Sequence, residues 1–454
     1  MRRLALAAVM ASAVTLVFVD AAALDYAAGG ALLLFLALGW RRFGFGTWVP
    51  LLLCGVALGL AFRTGVPGAT LLHGLDRALF LGALVAIFGL LRSAAALAPE
   101  VARAGAFLTG QPPSRRYAAM NLGGHLFGML INLGGLVLLL DLAKRATETE
   151  AMRALPPWAA ALKLRRMTLA VVRGFSTISL WSPLGFGVNV MLVALPGLSY
   201  REIGPSGFAG AVLIAVLGWG FDWLGGRRFR GVALPRPPVP PGAGRGAALL
   251  AGHVAALGAA VIALHAVAPL GFQEALIVVV PLYALVWAAA GGRGRTGAVA
   301  ALRATWDRLG DAAGEVGIFA AAGFLSVVLP AVVPVEALRA AVGDLGLGAT
   351  AVGVGLTLAT TGLAMVGVNP IVTASVMGAL ASELAVPGLT DPVIALALVG
   401  GWTAVIGLSP FITTVILAST IVGEPEWRIG LAWNGRFCVT VLALWCGFVA
   451  ALTW

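Results

Sequence analysis

Residues 177–192, TISLWSPLGFGVNVML, and residues 404–419, AVIGLSPFITTVILAS, decide the fold. At a constant offset of 227 positions, without gaps, Gly174 falls on Gly401, Ser182-Pro183 on Ser409-Pro410, Val188 on Val415, Tyr200 on Trp427 and Arg201 on Arg428. Each Ser-Pro sits inside an apolar run long enough to cross a bilayer. Proline removes a backbone donor and pushes the preceding residue out of the helical region, so both runs are expected to break near mid-membrane. Serine is a favoured N-cap and proline a favoured first helical residue, so each Ser-Pro is expected to start a second half-helix. The N–H groups at such a start form an anion-binding end.

The rest of the chain suits that setting. Sixty per cent of the 454 residues are hydrophobic and only 11% charged, with a mean hydropathy of +0.99, which describes a polytopic, all-α membrane protein. The net charge of +11 would suit a nucleic-acid partner, but the arginines and lysines lie between the apolar runs, as cytoplasmic loops require. Cys54, Cys438 and Cys446 fall within apolar runs and lack metal-ligand spacing, which argues against a disulfide framework or a zinc site. The N-terminal run could serve as a cleaved secretory signal. A retained first helix fits the charge count better.

Apolar runs fall at 4–23, 27–40, 48–62 and 77–97, followed by a glycine-rich segment at 118–142 and runs at 170–196 and 206–225. A basic Pro/Gly-rich linker, 227–246, divides the chain. Runs then recur at 247–268, 272–290 and 313–334, with a Gly/Thr/Asn segment at 348–385 and runs at 391–422 and 432–453. The reading is an extra N-terminal helix (1–24), a first repeat (25–226), the linker, and a second repeat (247–454). If the two polar-speckled segments are re-entrant hairpins, each half crosses an odd number of times, and the second copy must be inverted. About eleven spans result. With a cytoplasmic N-terminus in an inner membrane, all of the 30 lysines and arginines except Arg63, Arg77, Arg201 and Arg339 lie on the inside.

Asn132 and Asn369 lie in the two hairpin segments, and Asn369-Pro370 is another N-cap and first-residue pair. Near them the sequence supplies Ser176, Thr177, Ser179 and Asn189 in one half and Thr360, Thr361, Thr373, Ser375, Thr413 and Thr414 in the other. Neutral hydroxyls and amides beside half-helix N-termini suit a carboxylate or another oxyanion, and freed carbonyls near Asn132, Ser182, Asn369 and Ser409 could hold Na⁺. The expected substrate site comprises Asn132, Ser182, Pro183, Asn189, Asn369, Pro370, Thr373, Ser409, Pro410 and Thr413. Any single hydroxyl is better explained by bonding to its own helix backbone. Asp141, Asp222, Glu274 and Glu315 sit near span ends, where solvation explains them, so an anion or neutral solute is favoured over a proton or cation pathway. Of these, Glu315 is the nearest to a proton-coupling residue. His125 reads as a polar anchor, and no nucleotide loop, metal motif or Ser/His/Asp set is present.

Taken together, these features resemble the ion transporter superfamily, which includes divalent anion:sodium symporters and arsenite and citrate permeases. The symporters carry Ser-Asn-Thr at each hairpin tip; Ile131-Asn132-Leu133 and Val368-Asn369-Pro370 keep the asparagine. Ser182-Pro183-Leu184-Gly185 and Ser409-Pro410-Phe411-Ile412-Thr413-Thr414 are similar to the family's unwound loops. The resemblance implies eleven spans with the first outside the repeat, hairpin tips facing the broken loops across the substrate, Na⁺ or H⁺ as coupling ion and elevator-like or rocking motion. It also implies assembly as a homodimer through the scaffold. No nucleic acid is expected as a partner; membrane lipid and a small anionic solute are. The rival from another class is a membrane-embedded transferase, or an exporter, acting on a lipid-linked substrate.

Overall fold

The structure, a computed structural model, describes residues 1–19, 21–227, 239–291 and 294–454. Most of the linker at 227–246 lies outside the described residues. The described part is helical throughout. It begins with α1 (Arg2–Leu16), α2 (Ala22–Gly39), α3 (Phe45–Thr64) and α4 (Gly68–Leu97). A short amphipathic helix, α5 (Pro99–Thr109), leads to a hairpin of α6 (Pro113–Ile131) and α7 (Leu133–Arg145). After the single turn α8 (Glu150–Arg153) comes a broken crossing, α9 (Pro157–Ser176), α10 (Ile178–Trp181) and α11 (Phe186–Ala194), and then α12 (Tyr200–Gly226) closes the first half.

The order recurs in the second half. Helices α13 (Ala243–Val267) and α14 (Phe272–Ala290) are followed by α15 (Gly294–Leu309) and by α16 (Ala313–Val332), the counterpart of α4. Next come the amphipathic α17 (Val335–Asp344), a hairpin of α18 (Ala349–Met365) and α19 (Pro370–Glu383), a broken crossing of α20 (Asp391–Ile406) and α21 (Thr413–Val422), and α22 (Gly435–Leu452). The second half differs in α15 and in a π-helical turn at Arg428–Asn434 that feeds α22.

Contacts between α4 and α16 give the relative direction of the halves. Arg92 meets Glu315, Gly82 lies against Val316 and Ala320, and Gly74 lies against Phe324 and Val328. Early residues of one helix touch late residues of the other, so α4 and α16 run antiparallel. Counterpart helices of opposite direction make the repeats inverted.

Side-chain bonds repeat as well. Asn121 of α6 donates to Ala170 O at 3.2 Å, and Thr357 of α18 donates to Ala397 O at 3.0 Å. His125 Nδ1 lies 3.1 Å from Gly174 O, and Thr361 donates to Gly401 O at 3.1 Å. The acceptors in each pair are 227 residues apart, although the donors differ in chemistry. In both halves the first hairpin arm therefore runs parallel to the first part of the broken crossing. This delivers the hairpin tip beside the break. His125, expected as an interfacial anchor, is instead a structural bond within this pairing.

Nine helices among the described residues are long and apolar enough to cross a membrane, or ten if the bent pair α17 and α18 counts as one span. This is a multi-pass membrane protein. Two of the expected eleven spans fall short of that length. Helix α1 has 15 residues, short of the roughly 20 a span requires, and α20 and α21 have 16 and 10 residues separated by the break. The cations between the runs at 118–142 and 170–196 read as cytoplasmic loop in the sequence, but α9 begins at Pro157 and carries Lys163, Arg165, Arg166 and Arg173. Arg166 makes a bidentate pair with Asp222 at 2.7 and 2.6 Å, and Arg173 donates to Asn434 Oδ1 at 2.8 Å. Asp222, expected to be solvated, is therefore a buried counter-ion.

Candidate functional site

Both breaks are built alike. Helix α10 stops at Trp181, Ser182 takes extended backbone angles, and its Oγ accepts the Leu184 N–H at 3.2 Å. The Gly185 N–H closes a turn onto Ser182 O at 2.9 Å, and α11 begins at Phe186. In the other half Ser409 Oγ accepts the Phe411 N–H at 3.2 Å, the Ile412 N–H reaches Ser409 O at 3.3 Å, and α21 begins at Thr413. The breaks stand where the prolines demand. The expectation that Ser-Pro itself starts the second half-helix is corrected, since each half-helix starts four residues after its serine. The hydroxyl serves the N–H two positions on, which makes a tight turn instead of a helix cap.

A break in lipid must also satisfy the carbonyls it frees. Asn189 Nδ2 donates to Pro183 O and Gly185 O, both at 2.9 Å. In the second half Thr414 Oγ1 donates to Ile406 O at 2.5 Å, Ser409 Oγ to Ala364 O at 2.8 Å, and Asn434 Nδ2 to Gly407 O at 2.9 Å. Ser182 and Ser409 are fully buried. Their hydroxyls and the neighbouring carbonyls take part in hydrogen bonds within the protein. Among the described residues no group of three or more His, Cys, Asp or Glu side chains could hold a metal.

The hairpin tips differ from one another. Asn369 is the N-cap of α19, with Oδ1 accepting the Ile371 N–H at 2.9 Å and Pro370 in the first helical position. Thr373 returns its hydroxyl to Asn369 O at 3.3 Å and is buried. Asn132 joins α6 to α7 with φ 54° and ψ −133°, a conformation that favours glycine and costs a residue with a Cβ about 1–3 kcal/mol. Its carboxamide makes no cap hydrogen bond.

The tips and breaks enclose a cavity of about 530 Å³. Its wall includes Leu133, Phe186, Pro370 and Thr413, the first residues of α7, α11, α19 and α21. Four helix N-termini, two from each half, thus open onto one space. Their aligned dipoles favour negative charge there. Of the expected site residues, Asn132, Asn369, Pro370 and Thr413 line the cavity, while Ser182, Pro183, Asn189, Thr373, Ser409 and Pro410 stand behind it and hold its loops.

Sequence reasoning missed most of the remaining wall. Phe88, Phe186 and Phe319 form an aromatic run, with centroids 5.9 Å and 4.4 Å apart, and Phe175, Trp402 and Phe411 add to it. Arg92 and Glu315 sit at the rim in a bidentate pair with both distances 3.1 Å. Arg92 reads as a loop cation in the sequence, and Glu315 as a solvated span end. Only their pairing across 223 residues would have moved both to the cavity.

No family model and no curated protein matches the chain. Among solved structures, the Alcanivorax borkumensis YdaH transporter, described as having an unusual topology, is 14% identical, with a TM-score of 0.63 over 90% of this chain and 98% of that one. Neisseria gonorrhoeae MtrF, described as illuminating a class of antimetabolite efflux pumps, is 18% identical, with a TM-score of 0.53 over 82% of each chain. At these identities the likeness is one of fold.

Proposed function

We propose that the protein is a secondary active transporter that moves a small organic anion across the inner membrane by alternating access, with its N-terminus cytoplasmic. The observation that carries the reading is the convergence of four helix N-termini and the Asn132 and Asn369 tips on one cavity between inverted halves. The dipole ends and carboxamides favour an anionic head group, and the aromatic wall favours an apolar body. The likeness to MtrF, an efflux pump, keeps export beside import for this chain. Membership in the ion transporter superfamily belongs to the same reading, as does coupling to Na⁺ or H⁺.

The test is uptake into proteoliposomes of a panel of radiolabelled carboxylates, with imposed Na⁺ and pH gradients in turn. Solute-dependent counterflow that Asn369→Ala abolishes, with membrane insertion intact, is the expected result. Absence of counterflow for every carboxylate, together with turnover of a lipid-linked substrate, would favour the transferase instead.

A further inference from the structure

A second cavity, of about 810 Å³, lies behind the first break. It is walled by the start of α4, the end of α11, the 196–201 segment and the facing ends of α13 and α14. Helix α11 separates the two spaces: its first residue, Phe186, faces the central cavity and Leu192, near its end, faces the second one. The lining contains two arginines, Arg77 and Arg201, and neither makes a hydrogen bond or ion pair among the described residues. Asp76 is the charge neighbour of Arg77, and two further carboxylates accept backbone N–H groups. Glu274 accepts the Gly271 N–H at 2.6 Å, and Glu202 accepts the Ser199 N–H at 2.7 Å. Arg77 and Arg201 also belong to the few cations that the charge count places outside.

Two lining residues are bonded directly to the break. Tyr200, stacked on Phe272 at 4.6 Å and 5°, donates its hydroxyl to Trp181 O at 3.0 Å, the last residue of α10. Gln273 donates to Asn189 O at 3.3 Å, and the Asn189 side chain is the group that holds Pro183 O and Gly185 O. We infer that this vestibule is a second anion site, taking the same class of soluble carboxylate as the central cavity and reporting its occupancy to the first break through Tyr200 and Gln273. The inference rests on the transport reading for its ligand class. Glu274 shares the lining, so the attraction rests on the two guanidinium forks, whose N–H donors are not taken by a carboxylate and match one in geometry. Anionic lipid head groups share that chemistry, so the test separates the two sources.

The test uses the full chain in nanodiscs of phosphatidylcholine, with Cys54, Cys438 and Cys446 replaced by alanine and a single reporter, Ile262→Cys, in the vestibule wall. Its modification rates by a negatively charged and a positively charged methanethiosulfonate of similar size are compared. Modification roughly tenfold faster by the anionic reagent, lost in Arg77→Gln/Arg201→Gln, is expected. Saturable slowing by benzoate, also lost in that variant, completes the expected result. Equal rates for both reagents, or benzoate protection that survives loss of both arginines, would overturn the site. Protection by nanodiscs containing phosphatidylglycerol, with none by benzoate, would give the site to lipid and overturn the solute assignment. The same benzoate titration with Ile318→Cys, another residue of the central lining, as reporter reads the central cavity independently, so a failed vestibule with a protected centre leaves the transport reading intact.

Discussion

Arg92 and Glu315 form a bidentate ion pair across the interface of the two halves, with both N–O distances 3.1 Å, where α4 and α16 cross at the cavity rim. The guanidinium also lies 5.5 Å from the centroid of the Phe186 ring, the first residue of α11. The pair thus ties both halves to the start of a cavity-lining helix. Its side chains are 19% and 33% exposed, so neither charge is fully solvated. Removing one partner strands the other, which costs more than removing both. Arg92→Gln should lower detergent-solubilised stability by about 1–3 kcal/mol, and Arg92→Gln/Glu315→Gln should recover part of it. Thermal unfolding of the wild type, both singles and the double makes a complete cycle. Strict additivity of the singles would show that the pair contributes nothing.

Gly174 and Gly401 perform the same task in the two halves. A Cβ on Gly174 would collide with the backbone oxygen of Asn121, and one on Gly401 with that of Thr357. Each glycine therefore allows the broken crossing to approach the first hairpin arm closely enough for the paired side-chain bonds to form. Backbone cannot yield as a flexible side chain does. Gly174→Ala and Gly401→Ala should each cost about 2 kcal/mol or more through the forced separation. Gly355→Ala and Gly362→Ala are the controls. Both lie in α18 with nothing within 4 Å of the added carbon, and they should be neutral or slightly stabilising, by up to about 1 kcal/mol. Melting temperatures that fail to separate the two pairs would remove the packing argument.

Both breaks were legible in the sequence because proline's missing donor acts whatever surrounds it. Asn369-Pro370 was legible for the same reason, and the cap bond from Ile371 follows. The offset between each serine and the next half-helix was not, since a hydroxyl that can cap a helix can equally close a turn. Hydropathy also misjudged α9. Lys163, Arg166 and Arg173 look like a loop by composition, yet Ala146 O, Asp222 and Asn434 accept from them. Those acceptors lie on other elements, as far as 261 residues away, beyond the reach of any local window. Aromatic residues in apolar runs give no sign of which face they occupy, so the wall of the cavity emerged only with the fold.

Asn132 combines a strained backbone with a side chain free of cap bonds, and two substitutions separate these features. Asn132→Gly relieves the positive φ of 54° and removes the carboxamide; Asn132→Ala removes the carboxamide and keeps the strain. The glycine variant should be as stable as the wild type or more so, by about 1 kcal/mol, and the alanine variant equal or lower. If the carboxamide contacts the solute, both should weaken solute binding alike. A glycine variant with wild-type affinity would confine Asn132 to a turn role.

Asn189 offers the sharpest test of how the first break is held. Its side chain is fully buried, its Nδ2 donates to Pro183 O and Gly185 O, and its Oδ1 has no partner among the described residues. Asn189→Leu keeps roughly the same volume while withdrawing both donors from carbonyls that lipid and neighbouring side chains cannot supply. Gly185 O, the N-cap carbonyl of α11, keeps its intrahelical bond, so the loss falls on the buried Pro183 carbonyl and should cost about 1–3 kcal/mol. Asn189→Asp offers one donor at most, and only in its protonated form, so it should hold the loop less well than the amide. Asn189→Gln retains the amide on a longer stem. Because Asn189 does not line the central cavity, its loss should act through the loop geometry at Gly185 and Phe186, lowering maximal transport more than apparent affinity. Cross-linking of a cysteine at Leu184 to one at Asn132, two residues that share the cavity wall, would report the loop's position independently of transport. Unchanged cross-linking in Asn189→Leu would show that Ser182 and Gly185 shape the break without it.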